Sequence, residues 1–178
     1  MPEGFAYRDA IISADEEAVL IDELRRLPFK PFEFQGYLGK RRIVSFGWKY
    51  DFDQKALRAS KPLPDFLLPL REVAAAFAGV ASGDLQQVLI NEYDVGAGVG
   101  WHRDKGMFAD VVGISLSATA TFRFRRDRGE DWERRSQVLQ PRSAYLMRGP
   151  SRWEWQHSVP PVDALRYSVT FRNFTATE

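Results

Sequence analysis

The sequence predicts a mainly β fold, either a sandwich, a barrel or a jelly roll, with two helices packed outside it. Two observations carry this prediction. From Leu85 onward, short segments rich in β-branched and aromatic residues alternate with turns that contain Gly or Pro. Before Leu85, two longer segments have apolar residues at helical spacing. With 178 residues, 44% of them hydrophobic, the chain is expected to form one domain with a sizeable core.

The N-terminal part predicts two helices and a hairpin. Ser13 opens a capping box, and an amphipathic helix follows it. Residues 32–52 are aromatic, β-branched and punctuated by glycine, which favours a β-hairpin. A proline-rich link then leads into a second helix, which is expected to stop at Gly79. Residues 1–84 are therefore predicted to be a cover over a strand-rich core formed by residues 85–178.

The core segment predicts seven short strands separated by turns. They are residues 85–93, 99–104, 111–117, 120–126, 136–140, 143–148 and 164–174. Another strand is expected to begin near His157, after an aromatic turn.

Composition excludes several classes of site and partner. The chain has no cysteine, so disulfides, thiolate zinc sites and cysteine nucleophiles are ruled out. No segment predicts a membrane span or a signal peptide, and a cytoplasmic location is expected. The net charge of +1 gives no global attraction to nucleic acid. The basic run over residues 122–135 holds six arginines and four acidic residues, which suits either a solvated, ion-paired hairpin or a patch that faces phosphate.

The sequence around the two histidines predicts a metal site. His102 and Asp104 are two residues apart, so in an extended segment their side chains point the same way. One nitrogen and one carboxylate oxygen are two of the three ligands in a 2-His-1-carboxylate site for non-haem Fe(II). His157 is the only other histidine and is the candidate third ligand. The alternative is that each histidine is a hydrogen-bonded structural residue.

Two arginines near the C-terminus predict an anion site. Arg166 and Arg172 are six residues apart, so they lie on one face of a strand, with their Cα atoms roughly 20 Å apart at about 3.3 Å per residue. Buried arginines require anions, and arginine binds carboxylates in a bidentate geometry. A five-carbon dicarboxylate between the two side chains fits that span. The alternative is an edge strand whose arginines face solvent.

These pieces together resemble the AlkB family of Fe(II)- and 2-oxoglutarate-dependent dioxygenases. The resemblance runs from about Val88 to Phe174, roughly half of the chain. It is carried by "INEYDVGAGVGWHRD", "VVGISLSATATFRF", "PRSAYLMRGPSRWEWQH" and "RYSVTFR", in the order of the family. An Asn-x-Tyr before the His-x-Asp pair and an Arg-x5-Arg after it make the combination specific.

The resemblance implies a double-stranded β-helix, a jelly-roll type of fold, with N-terminal helices and a β-hairpin lid. Fe(II) would be bound by His102, Asp104 and His157, with 2-oxoglutarate as cosubstrate and O2 as oxidant. The cosubstrate would be bound by Asn91, Tyr93, Arg166, Ser168 and Arg172. Ser168 is a departure, since the family often has Asn there, and one cosubstrate contact is expected to be weaker.

The implied activity is oxidative demethylation of N-alkylated nucleobases in DNA or RNA by a monomeric enzyme. The residues expected to meet the substrate are Trp48, Tyr50, Arg41, Arg42, Arg103 and Lys105. Gly106 stands where the founding member has an acidic residue that contacts the base, so selection of the base by a carboxylate is not expected. Two alternatives stay open: the same chemistry on methylated protein side chains or a small molecule, and a non-catalytic jelly-roll binding module.

Overall fold

The computed structural model of the chain describes residues 1–34, 37–51, 54 and 56–176. Within that part, thirteen strands and three α-helices follow one another. The helices are α1 (Ala14–Leu24), α2 (Leu68–Ala78) and α3 (Pro150–Trp153). The strands are β1 (Phe5–Arg8), β2 (Lys30–Phe34), β3 (Tyr37–Phe46), β4 (Trp48–Asp51), β5 (Ala56–Ala59), β6 (Gln87–Tyr93), β7 (Val99–His102), β8 (Phe108–Leu116), β9 (Ala120–Asp127), β10 (Trp132–Leu139), β11 (Ser143–Met147), β12 (Gln156–Val159) and β13 (Arg166–Phe174).

The strands form two facing sheets and one small hairpin. The larger sheet has seven strands in the order β1-β11-β8-β13-β6-β3-β2, and the smaller has four in the order β10-β9-β12-β7. All of their pairings are antiparallel. The hairpin pairs β4 with β5. Two antiparallel sheets with crossovers between them are the architecture of a jelly roll, as predicted.

The helices cover the outside of the larger sheet. The Ser13 hydroxyl accepts a hydrogen bond from the backbone of Glu16, whose side chain accepts one in return, so the predicted capping box begins α1. Gly79 ends α2 in the left-handed conformation with φ of 68°, which glycine adopts without strain. Leu24, Leu67 and other apolar residues of this layer are fully buried against the sheet.

The space between the two sheets forms a second core, and it holds the site. Along β13, Tyr167, Val169 and Phe171 face the helices and belong to the first core. Because side chains alternate along a strand, Arg166, Ser168, Thr170 and Arg172 face the smaller sheet instead. They are all at least nine-tenths buried.
 
The observed elements differ from the predicted ones in several places, among them β5 and α3, which were not predicted. Strand β1 escaped prediction because four residues of alternating burial, Phe5–Arg8, give too short a pattern. Strands β1, β2 and β3 join the larger sheet, so the N-terminal part contributes to it as well as covering it. Strand β7 ends at His102, which places Asp104 in the loop after it. Among the described residues, no helix is long and apolar enough to span a membrane.

Candidate active site

Three side chains with metal-binding atoms meet between the sheets. His102 on β7 and His157 on β12 are directly opposite each other in the smaller sheet. The Oδ1 atom of Asp104 lies 3.7 Å from His102 Nε2 and 3.4 Å from His157 Nε2. Atoms that bind one ion at about 2.1 Å are separated by roughly 3 to 4 Å, so the spacing fits a single metal ion. The structure therefore brings together all three predicted ligands.

The first of these ligands has its free nitrogen fixed by a backbone contact. His102 Nδ1 lies 2.8 Å from the Gly100 carbonyl oxygen, so Nδ1 carries the proton and Nε2 is left for the metal. Burial, with a further contribution from the neighbouring His157, lowers the pKa of His102 to about 4. The imidazole is therefore neutral at neutral pH, which is the form that binds a metal.

Asp104 connects the two sheets through its second oxygen. Arg172 Nε on β13 donates a hydrogen bond to Asp104 Oδ2 at 2.7 Å. Burial opposes ionisation of Asp104, but Arg172 and then His157 outweigh it and hold the pKa of the carboxyl well below its usual value. Arg172 also donates to Gln87 at 2.9 Å. Arg172 thus lies at the metal-binding end of the site, where it fixes the carboxylate ligand.

Arg166 lies on the same face of β13 and has a donor to spare. Its side chain is 1% exposed, and its Nε donates to Ser115 at 3.0 Å. Its guanidinium lies 4.9 Å from the centre of the Tyr93 ring. The Nη1 atom is buried and has no hydrogen-bond partner, and within the described part of the chain no carboxylate pairs with this arginine. A buried, uncompensated guanidinium of this kind fits the carboxylate of a small anion.

The other predicted cosubstrate residues lie in adjacent rows across the larger sheet. Ser168 is opposite Asn91, and Arg166 is opposite Tyr93, in the pairing of β13 with β6. Asn91 donates to Ser168 at 3.2 Å and accepts from Arg41 at 2.8 Å. The predicted group is therefore assembled on one face of the sheet.

Several residues of the site were not identified from the sequence. Tyr145 is buried in the core between the sheets, and burial, followed by the neighbouring Tyr93, raises its pKa to about 12. Arg152 donates to the backbone carbonyls of Lys105 and Phe108 and so holds the loop that carries Asp104. Tyr145 and Arg152 lie in the segment that precedes His157, but neither has a spacing that relates it to the metal-binding residues. Of the three, only Gln87 could have been found from the sequence, because its even spacing from Asn91 and Tyr93 places it on the same face of β6.

The basic residues predicted to meet phosphate have different surroundings. Arg41 faces the site and contacts Asn91, whereas Arg42 points to the opposite face of β3 and pairs with Glu92 there. Arg103 is exposed and donates to the Glu154 carbonyl at 3.1 Å. Lys105 is exposed in the loop beside Asp104.

Of the two aromatic residues predicted to stack on a base, one is described in full. Trp48 is half-buried and its ring lies 5.8 Å from that of Phe174. The Phe174 ring is 5.6 Å from Phe108, whose ring lies 5.1 Å from the Arg172 guanidinium. Trp48 is thereby connected to the metal-binding end of the site. The side chain of Tyr50 lies outside the described part of the structure.

A jelly roll that holds two histidines and one carboxylate beside a buried arginine defines the class of mononuclear metal oxygenases that use a 2-oxo acid. Residues 19–172 match the family model described as the 2OG-Fe(II) oxygenase superfamily. The chain belongs to this superfamily. The predicted enzyme class and the predicted use of Fe(II) and 2-oxoglutarate are thereby confirmed at the level of the family.

Curated proteins similar to this chain include proteins of the AlkB type, in line with the predicted resemblance. The chain is 28% identical to the tRNA (carboxymethyluridine(34)-5-O)-methyltransferase ALKBH8 of Mus musculus, over 97% of this chain and 27% of that protein. It is 33% identical to the alpha-ketoglutarate-dependent dioxygenase AlkB of Salmonella typhimurium, over 66% of this chain and 60% of that protein. The solved structure of OsALKBH1 superposes with a TM-score of 0.71 at 17% identity and covers 97% of both chains. This last match shows the shared fold.

The chain spans only part of the length of its curated relatives, as a third one also shows. The Alkylated DNA repair protein ALKBH8 homolog of Arabidopsis thaliana is 29% identical over 76% of this chain and 47% of that protein. The chain thus spans about a quarter of the mouse relative and about half of the plant relative.

Proposed function

We propose that the protein oxidises an N-alkylated base of DNA or RNA in a reaction that consumes 2-oxoglutarate and O2. The observation that supports it most is the meeting of His102, Asp104 and His157 beside Arg166, a buried cation without an acidic partner in the described chain. The printed names of relatives mention tRNA, alkylated DNA repair and RNA/DNA demethylation, which favours a nucleic acid as substrate. A monomeric state and a cytoplasmic location are parts of the same proposal.

The residues that would hold the metal fit it chemically. His102 and His157 would each bind it through Nε2, and Asp104 through Oδ1, which leaves Oδ2 on Arg172. When bound, Fe(II) would supply the activation of O2, with 2-oxoglutarate oxidised to succinate and CO2 as a substrate C–H bond is hydroxylated. The ion pair with Arg172 would keep the carboxylate oriented and ionised throughout.

The cosubstrate would lie between the metal ligands and Arg166. Arg166 would bind the far carboxylate of the cosubstrate through its free Nη1 donor. Asn91 and Ser168, on the neighbouring positions of the sheet, would support that end, and Tyr93 would pack against the Arg166 guanidinium. Tyr145 would line the space between the two ends. Arg172 would contact the end nearest to the metal.

The base would enter from the side of β7, where His102 is 40% exposed. Trp48 would offer a stacking surface, and Arg41, Arg103 and Lys105 would lie around the entrance. Hydroxylation of an N-methyl group would give an unstable hemiaminal, which would separate into formaldehyde and the unmodified base. Arg42, being paired with Glu92 on the other face of β3, is not part of this set.

A substrate panel tests this proposal. Methylated single-stranded DNA, methylated RNA and a methylated peptide would each be incubated with the protein, Fe(II) and 2-oxoglutarate, and succinate and formaldehyde would be measured. The proposal predicts equal amounts of the two products from at least one nucleic acid and none from the peptide. Formaldehyde from the peptide alone would show that the enzyme acts on protein side chains instead. Absence of succinate in every reaction would favour the alternative that the protein is a non-catalytic binding module.

A further inference from the structure

The outward surface of the smaller sheet is basic and aromatic. Its residues, here called the outer face, are Trp101, Arg123, Arg125, Trp132 and Arg134. Arg125 is opposite both Arg134 on β10 and Gln156 on β12, so these side chains share one side of the sheet. The alternate residues of β9, Phe122 and Phe124, are buried in the core beneath.

The arginines of the basic run separate into two groups according to their partners. Arg126, Arg128 and Arg135 all contact Glu133, and Arg126 also contacts Glu154. On the outer face, Arg123 donates to the Ser158 hydroxyl at 3.0 Å and Arg125 to the Gln156 side chain at 2.7 Å.

Those two outer partners are neutral, and in the described chain no carboxylate pairs with Arg123 or Arg125. Arg134 is 61% exposed and lies 3.8 Å from an exposed Asp131 carboxylate, a contact too weak to neutralise it. The arginines of the basic run therefore differ by side: those on one side are ion-paired, and Arg123 and Arg125 on the outer face have only neutral partners in the described chain.

Two tryptophans hold these arginines in place. The Arg125 guanidinium lies 4.6 Å from the centre of a Trp101 ring and 4.2 Å from that of Trp132, and so is placed between them. The Arg123 guanidinium lies 5.0 Å from Trp101. Both indoles are half-buried, so part of each ring surface stays accessible. Guanidinium groups fixed in this way lose little freedom when they bind an anion, and the exposed indole surface is available for stacking.

The outer face borders the entrance to the metal site. Trp101 directly precedes His102 on β7, which is an edge strand of the smaller sheet. Consecutive residues of a strand point to opposite sides, so the metal ligand faces the interior and the indole faces out. A nucleic-acid strand that leaves the entrance over the edge of β7 therefore meets Trp101 first. Crossing to β10 covers three strand spacings, about 14 Å, a distance that a few nucleotides of a single strand can span.

We infer that the outer face binds the single-stranded segment of nucleic acid that flanks the base in the active site, an inference that rests on the proposed function. Arg123 and Arg125 contact phosphates where the segment crosses β9, and Trp101 and Trp132, on either side of them, stack on unpaired bases. Cations alone would suit any polyanion, including an acidic peptide. The alternation of fixed cations with partly accessible indoles matches a polymer that alternates phosphates with flat bases.

The test compares double variants that remove the same charge from two places. The variant R123Q/R125Q removes two positive charges from the outer face. The control R25Q/R26Q removes two from the exposed end of α1, which packs on the far side of the larger sheet. Binding of an unmethylated single strand of about 12 nucleotides would be measured by fluorescence anisotropy over a range of NaCl concentrations, on protein loaded with Mn(II) and 2-oxoglutarate.

The expected loss follows from the number of phosphate contacts. Each contact with a single strand contributes about −0.7 to the slope of log K against log salt, so R123Q/R125Q should flatten the slope by about 1.4. At about 0.1 M salt this corresponds to roughly 25-fold weaker binding. R25Q/R26Q should bind like wild type. R123K/R125K, which keeps the charge, should retain most of the slope, and Trp132→Ala should weaken binding roughly tenfold without changing the slope.

The outcomes separate the inference from the proposed function. Equal salt slopes for R123Q/R125Q and wild type would overturn the inference, and the proposed function would stand if the wild-type protein still oxidised the methylated strand. A glutamate-rich peptide would be tested as a competitor of the strand. If it displaced the strand from wild type, but at similar concentrations did not displace it from R123Q/R125Q, the outer face would be a protein-docking site instead. If wild type neither bound nor oxidised any nucleic acid, both would fall.

Discussion

The ion pair between Asp104 and Arg172 gives a prediction about stability that is separate from catalysis. The two side chains are 5% and 10% exposed, and their atoms are 2.7 Å apart. Removing one partner of a buried pair costs about 3–5 kcal/mol, because the other charge stays buried without compensation. In a chain of this length 1 kcal/mol corresponds to about 2–4 °C in Tm. Asp104→Asn should therefore lower the Tm of the metal-free protein by roughly 10 °C.

The assay is thermal unfolding in the presence of a chelator, with a double-mutant cycle. Arg172→Gln should destabilise the protein similarly, while the combination of both changes should be less harmful than their sum by about 2 kcal/mol, since no charge is then left unpaired. The matched control is Asp110→Asn. Its partner Arg148 is 43% exposed, so the loss should be about 1 kcal/mol or less. An Asp104→Asn variant that unfolds at the wild-type temperature, or a cycle without coupling, would refute the described role of Arg172.

Three more predictions concern the cosubstrate, the metal and the base. Arg166→Lys should raise the 2-oxoglutarate concentration for half-maximal turnover tenfold or more, because an ammonium cannot replace the two-pronged donor; an unchanged requirement would place the cosubstrate elsewhere. Gly98→Ala should weaken Mn(II) binding measured by calorimetry, because a Cβ there would lie 2.6 Å from the Val159 carbonyl oxygen and push β7 away from β12. The control is Gly100→Ala, which has open space around it and should bind Mn(II) like wild type. Trp48→Ala should weaken binding of a methylated strand without changing its salt slope, and a changed slope would contradict a stacking role.

The sequence predicted the components of the site better than their connections. Alternation along β13 placed Arg166 and Arg172 on one face, and the structure has them there. The contact of Arg172 with Asp104 joins residues 68 positions apart, and it depends on how the two sheets face each other, which no local pattern encodes. The prediction that Asp104 shares a strand with His102 was wrong in detail, because β7 ends first, yet the loop delivers the carboxylate to the same point.

The lid shows a second limit of sequence reasoning. Arg41 and Arg42 are adjacent and chemically identical, so composition assigns them the same role. The register of β3 on β6 separates them: Arg41 is opposite Tyr93 on the site face, and Arg42 is opposite Glu92 on the other face. Register depends on long-range pairing, and a shift of one residue would exchange their roles. In the basic run, likewise, the ion-paired arginines could be told apart from those on the outer face only once the pairing of β9 with β10 and β12 was known.

The central claim is that this chain couples oxidation of 2-oxoglutarate to removal of an alkyl group from a nucleic acid at the site of His102, Asp104 and His157. The most direct measurement is the ratio of formaldehyde to succinate formed from a methylated single strand with Fe(II), for wild type and for His157→Ala. The account predicts a ratio near one for wild type, and neither product for His157→Ala. Succinate without formaldehyde from every methylated strand offered, or an active His157→Ala variant, would contradict it.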